Sequence, residues 1–234
     1  MTTFDEAFTR AWITRFADSV AATEPELTAL DQQSGDGDFG VNLLAGVSCA
    51  MTALGGLPPG PALPVGRPLQ VAATAFLDEV GGTSGPLFGL LLHHLAEAAV
   101  HPALTAPDLA RGTAAGLAAI QRVGEAVPGD KTLVDALAPA AAALELCSRD
   151  TPVDAALLLA ADAAFGGVRA TRALRARRGR ASYLGERASG LPDPGAVGVG
   201  LFFASAVRPL TSLTPVLTDD GVGCEEPDAP VAAG

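Results

Sequence analysis

The chain is short of several things, and each shortage excludes something. Aromatics make up 5% of its 234 residues, with one tryptophan and one tyrosine. β-Branched runs are scarce while leucine and alanine dominate, which disfavours sheets and favours helices. Acidic residues outnumber basic ones, 26 to 15, for a net charge of -11 and a pI near 4.6. A nucleic-acid backbone needs a basic face, so nucleic acid is not an expected partner. The three cysteines, Cys49, Cys147 and Cys224, are odd in number and far apart. They support neither a disulfide framework nor a zinc site and fit a reducing cytoplasm. The first ten residues lack the basic start and apolar core of a signal peptide. No apolar run reaches the roughly 18 residues of a membrane span, so no membrane partner is expected.

What is present is core material and helical periodicity. Hydrophobic residues are 49% of the chain and the mean hydropathy is +0.33. Phe4, Phe8, Ile13, Phe16 and Val20 recur at helical spacing, and Thr3 and Glu6 stand at capping-box spacing before them. A second short helix is predicted after Thr23, with Pro25 in its first turn, running to Asp31. Further helices are predicted over 40–54, 68–80, 86–100, 107–123, 132–147, 152–178 and 194–207. Several open on a proline, which needs no backbone donor there. The 152–178 span carries Gly166-Gly167 and is expected to kink or divide at that point. Residues 1–210 therefore read as one all-α domain of about eight antiparallel helices. Residues 211–234 lose periodicity and read as an acidic, disordered tail.

The chemistry-bearing segments fall between helices. Asp31, Asp36 and Asp38 lie within eight residues, in Asp31-Gln32-Gln33-Ser34-Gly35-Asp36-Gly37-Asp38-Phe39-Gly40-Val41-Asn42. Like charges about 4 Å apart cost roughly 1 kcal/mol in water and about 4 at a protein surface. A hard divalent cation bound through oxygen offsets that repulsion. A solvated acidic turn is the plain alternative; the ligand spacing of an EF-hand is absent. Gly81-Gly82-Thr83-Ser84-Gly85-Pro86 leads into a helix, as a phosphate cradle or as a plain turn capped by Ser84. Pro128-Gly129-Asp130-Lys131-Thr132-Leu133 contains the only lysine of the chain, either kept for a specific role or retained by chance. Seven of the fourteen arginines fall between Arg169 and Arg187, around the lone Tyr183. Arg169, Arg172 and Arg175 read as a solvated helix face. Arg180 and Arg187, set among glycines, read as phosphate-binding groups. His93, His94 and His101 have no ligand partner at helical spacing and read as structural or exposed.

Together these segments resemble the L subunit of dihydroxyacetone kinases (DhaL), equivalent to the nucleotide-binding domain of single-chain dihydroxyacetone kinases. The matching stretches are LDQQSGDGDFGVNL, EVGGTSGPLFG, PGDKTLVDAL and GRASYLGERASGLPDPGA, in family order across residues 4–208. The resemblance implies an antiparallel barrel of eight helices with ADP or ATP at one end. It implies two Mg²⁺ ions held by Asp31, Asp36 and Asp38. Phosphate contacts would come from Phe39, Gly40, Val41 and Asn42, chiefly through backbone amides, and from Thr83 and Ser84. Arg180 would contact nucleotide phosphate as the catalytic cation. Gly124 and Leu133 would line the adenine pocket, closed by Asp193, Pro194 and Gly195. The chain departs from the family at Phe39, where many members have histidine, and at Leu43 and Leu133, where methionine is common. An arginine frequent shortly after the asparagine is missing at Ala45-Gly46.

The implied function is the nucleotide-bearing subunit of a cytoplasmic kinase. It would act on dihydroxyacetone held by a separate K subunit (DhaK). The ADP would be rephosphorylated in place by a phosphohistidine protein (DhaM) of the phosphotransferase system. The alternatives are an ATP-exchanging kinase subunit for dihydroxyacetone or another small ketose, and an ADP-loaded co-regulator that binds a transcription regulator.

Overall fold

The computed structural model describes residues 4–57, 64–82, 84–184 and 189–218. They form an all-helical fold. Seven long helices come first: α1 (Glu6–Ser34), α2 (Phe39–Gly55), α3 (Arg67–Glu79), α4 (Ser84–Ala98), α5 (Ala106–Gly124), α6 (Val134–Glu145) and α7 (Val153–Ala170). A 3₁₀ turn (Thr171–Ala173), a short α8 (Ala181–Leu184), α9 (Pro194–Ala204) and a short α10 (Thr214–Leu217) follow. Among the described residues no helix is long and apolar enough to cross a membrane.

Each long helix packs on the next in sequence, and α9 packs on α7 and on α1. That last contact joins the end of the series to its beginning. The seam is specific. The Trp12 ring stacks on Phe202 with centroids 4.6 Å apart, and its Nε1 donates to the Phe202 carbonyl at 2.8 Å. Arg15 Nε donates to the Ser205 carbonyl at 2.8 Å. Both bonds satisfy carbonyls at the end of α9 that have no partner within the helix. α9 is apolar on every face and buried from Ala196 to Phe203, as a helix enclosed by others must be.

Short connections between packed neighbours make the helices run alternately up and down. The junctions after α1, α3, α5 and α7 therefore fall at one end of the bundle. These are the glycine-rich segments singled out in the sequence.

Three local expectations change. α1 is one helix from Glu6 to Ser34, with Pro25 inside it. Proline in a helix interior costs about 3 kcal/mol, but Val20, Thr23, Leu27 and Leu30 continue a single buried stripe across it, and that packing outweighs the lost bond. The N-cap is Asp5, which accepts from the amides of Ala7 and Phe8; Thr3 of the expected capping box lies outside the described residues. α7 runs unbroken through Gly166-Gly167 and stops at Ala170. A Cβ on Gly167 would lie 2.2 Å from the Asp135 carbonyl, so this glycine lets α6 and α7 approach rather than bending either.

The tail expected from residue 211 is packed as far as Thr218. Leu213 and Val216 are buried, Glu26 accepts from the Leu213 amide at 3.0 Å, and Arg169 and Arg172 donate to the carbonyls of Val216 and Leu217. Two arginines expected to face solvent thus hold α10. Residues 219–234 lie outside the described residues.

Candidate functional site

One cavity of about 300 Å³ opens at the end of the bundle where the four junctions meet. Asp31 enters it from the last turn of α1 and is buried. Its carboxylate accepts from the Phe39 amide at 3.0 Å, tying the end of α1 to the start of α2. Gly35 permits the turn between them; a Cβ there would overlap the Asp31 carboxylate at 2.2 Å. Asp36 and Asp38 are more exposed, and Asp38 makes no capping bond at the head of α2. One carboxylate oxygen from each of Asp31, Asp36 and Asp38 falls within 4.8 Å of the others. Burial, joined by the negative charges of Asp36 and Asp38, raises the Asp31 carboxyl above its ordinary value, against the Phe39 amide. Three converging acidic oxygens, two of them unused for capping, suit a hard divalent cation. Arg180 reaches across the mouth and pairs with Asp36.

The other expected residues divide. Phe39, Asn42, Ser84, Gly124, Leu133, Arg180, Asp193, Pro194 and Gly195 line the same cavity as the three aspartates. Gly40 and Val41 do not. Gly40 lies against α1, where a Cβ would meet Thr28 Oγ1 at 2.4 Å, and the Val41 side chain is 55% exposed. Thr83 lies outside the described residues. The Phe39 ring is buried in the core, in contact range of Gly198, and its amide is taken by the Asp31 carboxylate. Gly124 has open space where a side chain would be, just before Glu125 turns left-handed at φ 49°.

Much of the remaining lining is apolar, including Leu87, Ile120, Ala126, Leu133 and Val134. Of these only Leu133 was singled out in the sequence, since buried aliphatic residues on helices look alike whether they face a core or a cavity. Lys131 and Arg178 also line the site. Asp193 caps α9 by accepting from the Ala196 amide at 2.7 Å. Burial first, and then the charges of Asp135 and Asp31, push its carboxyl up to about 7 against the pull of Lys131 and the Ala196 amide. A Cβ on Gly195 would lie 3.3 Å from the Leu133 Cβ, so the Pro194-Gly195 turn packs directly against Leu133.

Comparison with known proteins gives a consistent picture. The DAK2 domain family model matches residues 33–208. A Listeria innocua protein named "PEP-dependent dihydroxyacetone kinase 1, ADP-binding subunit DhaL" is 34% identical over 207 residues, 88% of this chain and 98% of its own length. The Escherichia coli K12 "PEP-dependent dihydroxyacetone kinase, ADP-binding subunit DhaL" is 36% identical over 193 residues, 80% of this chain and 89% of its own. Among solved structures, the dihydroxyacetone kinase from C. freundii in complex with AMP-PNP and Mg²⁺ superposes with a TM-score of 0.63 at 23% identity. The match covers 88% of this chain and 34% of that one, and establishes the shared fold.

Proposed function

The chain belongs to the DAK2 domain family, and on that premise we propose that it is the ADP-binding L subunit of a PEP-dependent dihydroxyacetone kinase. Two relatives of that name match it over most of both lengths. The observation that carries the reading at the level of chemistry is the meeting of three carboxylates in a cavity whose remaining lining is largely apolar. A nucleoside diphosphate needs both halves, a metal for its phosphates and an apolar slot for its base.

In this reading Asp31, Asp36 and Asp38 hold two Mg²⁺ ions. Held there, the metal would supply positive charge against the phosphates and so lower the barrier to moving one of them. Asn42, Ser84 and the free amide at the head of α4 take phosphate oxygens, as helix N-termini do. Gly124 and Leu133 flank the base, and Asp193, Pro194 and Gly195 cover it. Arg180 exchanges its partner Asp36 for a phosphate oxygen as nucleotide arrives. This reading asks no side chain of the chain itself to deprotonate the ketose hydroxyl and assigns that base to a K subunit that carries dihydroxyacetone. The phosphoryl donor is a phosphohistidine protein of the DhaM kind, and the location is cytoplasmic.

Two measurements test this. ADP with Mg²⁺ should bind and stay with the protein through gel filtration. With a K subunit added, turnover should follow a phosphohistidine donor and not free ATP. Absence of Mg²⁺-dependent ADP binding removes the reading. Turnover from free ATP replaces the donor with ATP and leaves the nucleotide site standing.

A further inference from the structure

Lys131 is 2% exposed and sits at φ 60°, a left-handed backbone that a residue other than glycine holds only where its surroundings impose it. Its ammonium donates to the carbonyl of Thr171 at 3.0 Å and to that of Leu191 at 2.7 Å. Those two carbonyls lie twenty positions apart, one at the end of α7 and one at the approach to α9. Between them runs the segment that carries Arg177, Arg178 and Arg180. The same neck is tied by the Gly190 amide on the Arg172 carbonyl at 3.0 Å. From Thr171 the ties continue into the site, because its hydroxyl accepts from the Asp193 amide at 2.8 Å. The residue next to the lysine holds the rising strand: the Asp130 carbonyl accepts from the Arg177 amide at 3.0 Å, and its carboxylate lies 3.6 Å from Arg178 Nε.

We propose that Lys131 is a positioning residue for the nucleotide site. By holding the Thr171 and Leu191 carbonyls on one ammonium, it sets where Arg180 and the Asp193-Pro194-Gly195 turn stand. Only a compact, multiply donating cation fills this role. Methionine offers no donor, and the planar guanidinium of arginine presents its donors in a fixed fork that suits carboxylates rather than two divergent carbonyls. The inference rests on the nucleotide reading for its consequence, but its structural half stands without it.

The test uses the full chain with Lys131→Met, Lys131→Arg, Arg180→Ala and the double variant Lys131→Met/Arg180→Ala. In the ligand-free protein, trypsin should cut after Arg177, Arg178 or Arg180 at least tenfold faster in Lys131→Met than in wild type, with Trp12 emission unchanged. Lys131→Arg should fall between the two, and it serves alone if Lys131→Met does not fold. In calorimetry with Mg²⁺ and ADP, Lys131→Met and Arg180→Ala should each weaken binding. The double variant should lose at least fivefold less than the product of the two single losses, because one acts through the other. A residue serving only the fold would give losses that multiply. Unchanged cleavage in both lysine variants, or multiplying losses, overturns the proposal. If wild type binds no ADP the nucleotide reading fails by itself, and the cleavage rates still decide whether Lys131 holds the neck.

Discussion

Arg180 and Asp36 form an ion pair across the mouth of the cavity, so the exposed end of the aspartate cluster is matched by a cation of the chain itself. The pair is largely open to solvent on the arginine side, and such pairs contribute about 0 to 1 kcal/mol. Arg180→Gln should therefore leave the melting temperature nearly unchanged. It should weaken binding of Mg²⁺-ADP by about tenfold, roughly 1.4 kcal/mol, as expected for one charge-assisted bond. Thermal melts and calorimetry on the same samples check both halves.

Burial, together with the neighbouring charges of Asp36 and Asp38, penalises the charge on Asp31. Asparagine keeps an oxygen for the Phe39 amide and removes the charge. Asp31→Asn should stabilise the ligand-free protein by about 1 kcal/mol, the scale of one like-charge repulsion. It should also abolish the stabilisation by Mg²⁺-ADP, which for wild type is about 2.7 kcal/mol at 100 times the dissociation constant. A gain in stability paired with a loss of ligand response separates a binding carboxylate from a structural one.

Asp193 sets a dependence on pH. Its carboxyl titrates near 7 in the folded chain and near 4, about 3.9, when unfolded. Between those values the folded state holds a proton that the unfolded state has released. The contribution to stability is complete below about pH 4 and is lost as pH rises through 7. Asp193→Asn retains an oxygen to cap α9 and cannot titrate. Denaturant unfolding at several pH values should show wild type losing stability relative to the variant from pH 4 to 7, with a constant difference above pH 8. Parallel curves across that window would contradict the assignment.

The paired glycines of α7 give a control for packing. Gly166 faces open space, whereas a Cβ on Gly167 would strike the Asp135 carbonyl. Gly166→Ala should be neutral or stabilise by about 0.5 to 1 kcal/mol. Gly167→Ala should destabilise by about 1 to 3 kcal/mol. It should also weaken nucleotide binding, because the Asp135 carboxylate holds the amides of Gly129 and Thr132 beside the site.

Most of the helices were legible because they bury one periodic stripe, while α9, apolar on every face, was marked by its opening proline, and most predicted spans match to within a few residues. Pro25 misled because its local preference is a start signal, while Val20, Leu27 and Leu30 bury a stripe that runs through it. Gly166-Gly167 misled for a related reason: the pair breaks helices in isolation and here serves an interhelical contact. The three aspartates were legible because so much like charge in so few residues has little structural use. Leu87, Ile120 and Val134 were not, since an apolar residue facing a ligand slot and one facing the core carry the same letter. Lys131 was visible as an oddity of composition, and only the distances to Thr171 and Leu191 give it a task.

The seam between Trp12 and Phe202 brings together stretches of chain 190 positions apart. Site residues come from the two sides of that seam, Asp31 from α1 and Asp193 to Gly195 from the start of α9. During synthesis the first of these emerges from the ribosome long before the second. A ribosome-bound chain ending ahead of residue 193 lacks α9 altogether, so the bundle closes and the cavity takes its shape only once the last long helix has been made.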